Sequence, residues 1–170
     1  FALKKQGKIQ EATQAFSKAL LLKPDYADAH NNLGNAWQSQ GKVDEAIRAY
    51  EKVILLKPNC AEAFYNMGTA LQEQCRLKQA IKAYKEAISY KPNYPEAYNN
   101  IGDALQVLGK PTEAIETLNV ALSLRPNYAE AYNNKGNALH DLSELDEAIN
   151  CYQTALNLKP EFPEAYNNTG

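Results

Sequence analysis

Side-chain amides are the chemistry this sequence repeats. Asparagines stand in pairs or near-pairs at Asn31-Asn32, Tyr65-Asn66, Asn99-Asn100, Asn133-Asn134 and Asn167-Asn168, and Asn35, Asp103 and Asn137 follow three places on. A carboxamide carries both a donor and an acceptor, so it can bracket a peptide unit and hold an extended chain without selecting its side chains. Asparagine is a mediocre helix former, and Lys, Glu or Gln would serve a merely solvated face better. Its return in nearly every copy therefore points to binding of a main chain. The candidate peptide-binding residues are Asn31, Asn32, Asn35, Tyr65, Asn66, Asn99, Asn100, Asp103, Asn133, Asn134 and Asn137.

No catalytic constellation accompanies them. His30 takes a place filled in other copies by Phe64, Tyr98, Tyr132 and Tyr166, which reads as a packed side chain. His140 stands beside Asp141, but no Ser or Cys completes a nucleophilic triad with it. Neither a phosphate loop nor a dinucleotide fingerprint occurs, so no cofactor is expected and the chain reads as no enzyme. The three cysteines lack CxxC or Cys/His spacing, which argues against a metal site. Cys60 and Cys75 fall near opposite ends of one expected helix, about 22 Å apart at the helical rise, too far for a disulfide. Free thiols suit a reducing compartment, so a cytoplasmic location is expected.

Net charge −2 and a pI near 5.8 give no global attraction to nucleic acid or an anionic membrane. No apolar run approaches a bilayer span, and no secretory signal opens the chain. Phe1 is not a natural start, so a targeting segment could be missing and both ends are expected to cut through a helix of a longer array.

What must position the asparagines is a repeat. Pro24, Pro58, Pro92, Pro126 and Pro160 recur every 34 residues, a period that signals stacked supersecondary units rather than one globular core. Counting Ala27, Ala61, Pro95, Ala129 and Pro163 as first positions gives whole repeats at 27–60, 61–94, 95–128 and 129–162. Residues 1–26 and 163–170 are partial copies of what reads as one array. Asp25, Asn59, Asn93 and Asn127 are expected N-caps of a first helix, with Asp28, Glu62, Glu96 and Glu130 as capping-box acids. That helix runs about thirteen residues to a break at Gly7, Gly41, Cys75, Gly109 or Ser143. A second helix starts at Asp44-Glu45, Lys78-Gln79, Thr112-Glu113 or Asp146-Glu147, and carries apolar residues at helical spacing. Lys57, Lys91, Arg125 and Lys159 close it, where a cation suits the dipole.

On the first helix the third, fourth, seventh, tenth and eleventh positions form the apolar side. The second, fifth, sixth, ninth, twelfth and thirteenth form the polar face that holds the amides. Gly34, Gly68, Gly102 and Gly136, each costing about 1 kcal/mol against alanine, imply close approach of a neighbouring helix. The alanines at 12, 46, 80, 114 and 148 mark the matching shallow place. Lys135 stands at the apolar seventh position, where Leu33, Met67 and Ile101 occur in other copies.

Trp37 or Leu71 at the eleventh position, glycine at the eighth, alanine at the twentieth, Tyr50 or Tyr84 at the twenty-fourth and proline at the thirty-second resemble tetratricopeptide repeats. The resemblance spans the chain. It implies an all-α solenoid of antiparallel helix pairs stacked in a right-handed superhelix, with the first helices lining the concave side. The Asn-Asn-Leu-Gly style is similar to the repeats of O-linked N-acetylglucosamine transferases and to bacterial and designed arrays. In the transferases the sixth-position asparagines form a ladder along a bound peptide backbone, and Asn32, Asn66, Asn100, Asn134 and Asn168 hold that place here. Another branch clamps C-terminal carboxylates with Lys or Arg at the second and sixth positions. This sequence has acids and asparagines there, so that clamp is not expected.

The resulting reading is a protein–protein interaction scaffold that takes an extended segment of a partner in the concave groove. The alternatives are the substrate-selecting arm of a glycosyltransferase whose catalytic domain lies elsewhere, and a self-associating scaffold or consensus-like design. Uncapped faces at Phe1 and Gly170 would favour end-to-end self-association.

Overall fold

The computed structural model describes the backbone of residues 2–169 and the side chains of residues 7–168. Among them are helices only. One compact unit, Phe1–Tyr90, holds α1 (Ala2–Leu22), α2 (Ala27–Gln38), α3 (Val43–Leu56), α4 (Ala61–Glu73) and α5 (Leu77–Tyr90). The second, Lys91–Gly170, holds α6 (Pro95–Val107), α7 (Pro111–Leu124), α8 (Ala129–Asp141), α9 (Leu145–Leu158) and α10 (Pro163–Thr169). Phe1 and Gly170, on which the end-to-end expectation rests, lie outside the described residues.

Within each unit the helices pair as the periodicity requires. α2 folds back on α3 and α4 on α5; in the other unit α6 pairs with α7 and α8 with α9. Turns of three or four residues leave no other neighbour in reach. The buried face of α2 includes Ala29 and Leu33, and that of α6 includes Ala97, Ile101, Ala104 and Leu105. Consecutive repeats share small cores. Ala27, Val53 and Ala63 cluster in the first unit, and Ala129, Ala155, Phe162 and Ala165 in the second.

The helix starts differ from expectation by one residue. α2, α4, α6 and α8 are capped by Tyr26, Cys60, Tyr94 and Tyr128, with no side-chain cap hydrogen bond. Asp25, Asn59, Asn93 and Asn127 thus lie outside the caps, and the acids three residues on are not capping-box partners. Three of those acids, Asp28, Glu96 and Glu130, instead close their own repeats. Lys57 Nζ reaches Asp28 Oδ1 at 2.7 Å, Lys159 Nζ reaches Glu130 Oε1 at 2.8 Å, and Arg125 pairs with Glu96. The Lys159 hydrogen bond holds the Glu130 carboxyl below its ordinary range. Burial pushes Glu96 up, but its bond from Arg125 helps bring it net downward.

Arg125 and Lys159 also stack on the aromatic residue that follows, as Lys91 does. Lys91 lies 4.1 Å from the Tyr94 ring centroid, Arg125 4.7 Å from Tyr128 and Lys159 4.5 Å from Phe162, within cation–π range. Arg125 and Lys159, expected to complement a helix dipole, therefore tie the second helix to the first and to the next repeat.

Four of the five expected breaks are turns with a left-handed residue: Gly41 (φ 73°), Cys75 (φ 56°), Gly109 (φ 72°) and Ser143 (φ 62°). At Cys75 the hydrogen bonds Cys75 N–H to Gln72 O and Arg76 N–H to Leu71 O, both 2.9 Å, form a Schellman motif. Gly7 is different, because α1 runs through it without a break.

Left-handed backbone costs an L-residue about 1–2 kcal/mol, whereas glycine loses about 0.5–1 kcal/mol in unfolded-state entropy. Cys75→Gly and Ser143→Gly should each raise stability by about 0.5–1 kcal/mol. Urea midpoints measure this; a lowered midpoint contradicts it.

The glycines of the first helices make room for one specific side chain. A Cβ on Gly34 would lie 2.6 Å from the Tyr50 ring, and on Gly68 it would lie 2.5 Å from the Tyr84 ring. A Cβ on Gly102 would meet Leu118 Cγ at 2.5 Å, and one on Gly136 would overlap Tyr152. The close approach expected of the twentieth-position alanines belongs to the twenty-fourth position instead. Tyr50, Tyr84 and Leu118 are wholly buried there.

Lys135 is half-buried, and its charge favours the thiolate of Cys151 on α9, although burial dominates and pushes that thiol up. Leucine would add apolar contact without an ammonium to keep solvated. Lys135→Leu should raise stability by about 1 kcal/mol. Thermal melts of the two proteins measure it, and an unchanged or lowered midpoint contradicts it.

Candidate functional site

The amides lie on the polar side of α2 and α4 in one unit and of α6, α8 and α10 in the other. They are bonded to each other in a regular way. Asn66 Nδ2 on α4 donates to Asn31 Oδ1 at 3.2 Å and to Asn35 Oδ1 at 3.3 Å, both on α2. Asn134 Nδ2 donates to Asn99 Oδ1 at 3.0 Å. Asn168 Nδ2 donates to Asn133 Oδ1 at 3.1 Å and to Asn137 Oδ1 at 2.9 Å. The sixth-position amide thus reaches back to the fifth and often the ninth position of the preceding repeat.

This divides the candidate residues. Asn99 and Asn133 are buried, at 7% and 5% exposure, and each receives a bond from the next repeat. Asn31 receives one too and donates to Glu62 Oε1 at 3.0 Å. The fifth-position asparagines therefore join consecutive first helices, a role that helical spacing alone does not separate from ligand binding. Tyr65, at the same position, packs its ring 5.7 Å from that of Tyr84. Asn32 and Asn35 are exposed, and Asn66, Asn100, Asp103, Asn134 and Asn137 are half-buried with a side toward solvent. Asn66 and Asn134 spend Nδ2 on a neighbouring helix, so the group they turn outward is the Oδ1 acceptor.

Tyrosines of the second helices set the amides from below. The Tyr50 hydroxyl stands 2.7 Å from Asn35 Oδ1 and 2.9 Å from Gln38 Oε1, with one proton to share between them. Tyr84 donates to Gln72 Oε1 at 2.8 Å and Tyr152 to Asn137 Oδ1 at 3.0 Å. Burial raises the Tyr50 and Tyr152 pKa values above the ordinary phenol range, and nearby carboxylates add to this, so both stay donors at neutral pH. Sequence reasoning placed these rings in the core alone; their polar tips, which support the groove face, had a signal in the Tyr-for-Leu choice at the twenty-fourth position. Leu118 has no such tip, and Gln106 turns instead to Asp141 Oδ2 at 2.8 Å.

An open polar cavity of about 440 Å³ lies beside that bond, lined by Gln106, Asn137, His140, Asp141, Tyr152, Asn167 and Asn168. His30 is no part of the site. Its Nε2 lies 2.9 Å from the Pro24 carbonyl oxygen, which only an N–H satisfies, so the ring is tied to the preceding turn. Cys60, Cys75 and Cys151 are free thiols. Among the described residues no group of three or more His, Cys, Asp or Glu could hold a metal ion, and no helix is long and apolar enough to cross a membrane.

Comparison with known proteins agrees with this architecture. A family model described as TPR repeat matches residues 2–41, 76–109, 107–143 and 136–170, and one described as Tetratricopeptide repeat matches 27–60. No curated protein matches the chain. Among solved structures, MamA is 27% identical with a TM-score of 0.84, over 93% of this chain and 92% of that one. YrrB, described as a TPR protein with an unusual peptide-binding site, is 23% identical with a TM-score of 0.79, over 98% and 86%. PilF of Pseudomonas aeruginosa is 24% identical with a TM-score of 0.84, over 98% and 76%. At such identities the last two speak for the fold alone.

Proposed function

We propose that this chain, which belongs to the tetratricopeptide repeat family, is a non-catalytic scaffold that holds an extended segment of a partner protein along the polar faces of its first helices. The observation that carries this is the orientation of Asn66 and Asn134. Each is fixed through Nδ2 by a neighbouring helix, with its Oδ1 left to accept from a ligand N–H. A fixed acceptor costs little entropy on binding, so a modest hydrogen bond is used efficiently. Recognition through the main chain explains how repeated, identical amides serve a partner of varied sequence.

The groove residues Glu73, Asp103 and Asp141 are acidic, and from Asp28 to Asp141 the polar faces carry no Lys or Arg. Basic or neutral segments are therefore favoured over acidic ones. The test is a titration with unstructured peptides selected from a random library on the immobilised chain. Methylating successive backbone nitrogens of a bound peptide should abolish binding at several positions, while most side-chain replacements leave it intact. Binding that survives backbone methylation but depends on individual side chains would sink the proposal.

A further inference from the structure

The cavity between α6, α8, α9 and α10 has features the amide row does not explain. It belongs wholly to the second unit, and at about 440 Å³ it is in the range of sites that take a side chain or small ligand. Its walls are polar, and Asp141 is the one carboxylate among them, with no Lys or Arg.

Three hydrogen bonds hold the walls in place. Gln106 Nε2 occupies Asp141 Oδ2 at 2.8 Å, which steadies the carboxylate and leaves Oδ1 for a further donor. Asn137 Oδ1 receives both the Tyr152 hydroxyl at 3.0 Å and Asn168 Nδ2 at 2.9 Å, so it is already saturated. Asn168 Oδ1 is thereby directed as a second acceptor.

The first unit carries the same kind of amide–carboxylate bond, with Gln38 Nε2 3.3 Å from Thr69 Oγ1 and 2.5 Å from Glu73 Oε1.

We infer that this cavity is a specificity pocket for a cationic side chain of the groove ligand, an arginine guanidinium or lysine ammonium held by Asp141 and the Asn168 carbonyl. It rests on the peptide-binding reading and deepens it: the amides hold the main chain, and this pocket sets which residue lies beside α8. A guanidinium supplies the planar array of donors that a carboxylate and a side-chain carbonyl can share, and arginine is the better fit of the two. Because Asp141 is exposed, the preference is modest and weakens with salt.

The test uses small probes that do not need the amide row. Acetyl-arginine-amide and its neutral isostere acetyl-citrulline-amide are titrated into the chain, following the side-chain amide NMR signals of Gln106, Asn137 and Asn168. The arginine probe should shift them saturably and bind at least about threefold more tightly than citrulline, the size of an exposed ion pair. Asp141→Asn should erase that preference. The fourfold variant Asn32→Ala, Asn66→Ala, Asn100→Ala and Asn134→Ala should keep it, which separates failure of the pocket from failure of the amide row. Equal binding of both probes, or an arginine preference that survives Asp141→Asn, overturns the inference.

Discussion

Gly68→Ala is expected to destabilise the chain by about 2 kcal/mol, although alanine is the better helix former by about 1 kcal/mol. The new methyl would sit 2.5 Å from the ring of Tyr84, a side chain with no exposure whose hydroxyl is held by Gln72. The ring cannot move aside without losing that bond and its packing, so the cost falls in the upper part of the range of about 1–3 kcal/mol for overpacked cores. Tyr84→Ala should cost more, about 3–5 kcal/mol, as a large buried side chain is removed. The two changes together should cost less than their sum, by about 1 kcal/mol or more, because the added methyl then occupies part of the vacated space.

Gly102→Ala is the internal control. Its neighbour Leu118 is wholly buried and meets the new methyl at Cγ, but no hydrogen bond tethers it, so the loss should be smaller than at Gly68. Urea denaturation of the four proteins and the control decides the matter. Equal losses at Gly68 and Gly102, or an additive cycle, would contradict the interlock.

The period, the helix pairs and the buried faces were readable in the sequence because a 34-residue repeat samples the same environment several times. Trp37, Leu71, Leu105 and Leu139 at one position say more about a packed seam than any one of them alone. What escaped was set by partners rather than by patterns. Asn59 and Glu62 have the residue types and spacing of a capping box, yet the helix begins one residue later than that requires, and homologous acids pair with Lys57, Arg125 and Lys159 instead. Such pairs join residues 29 apart, a separation local rules do not reach.

Likewise Asn99 and Asn100 look equivalent on a helical wheel. The difference between them, a buried acceptor beside a half-exposed neighbour, comes from the next repeat's Asn134. The left-handed turns at Cys75 and Ser143 were expected breaks, but only alignment with Gly41 and Gly109 in the other copies revealed them.

The amide row carries the second large effect. Replacing Asn32, Asn66, Asn100 and Asn134 together by alanine should weaken binding of a library-selected peptide by about 2–6 kcal/mol, as each amide contributes about 0.5–1.5 kcal/mol. A single replacement is within reach of compensation by neighbours, so its effect should be small. Because Asn66 and Asn134 also bond to Asn31, Asn35 and Asn99, some stability is lost as well. Unchanged helicity by circular dichroism must therefore accompany the comparison, and a variant unfolded at the assay temperature is replaced by the pair Asn32→Ala and Asn100→Ala. The most direct measurement is calorimetric titration of one such peptide into the native chain and the folded variant. An affinity at least about thirtyfold lower in the fourfold variant agrees with main-chain recognition by the asparagines. Equal affinities would mean that these amides only join the repeats and that the partner docks elsewhere.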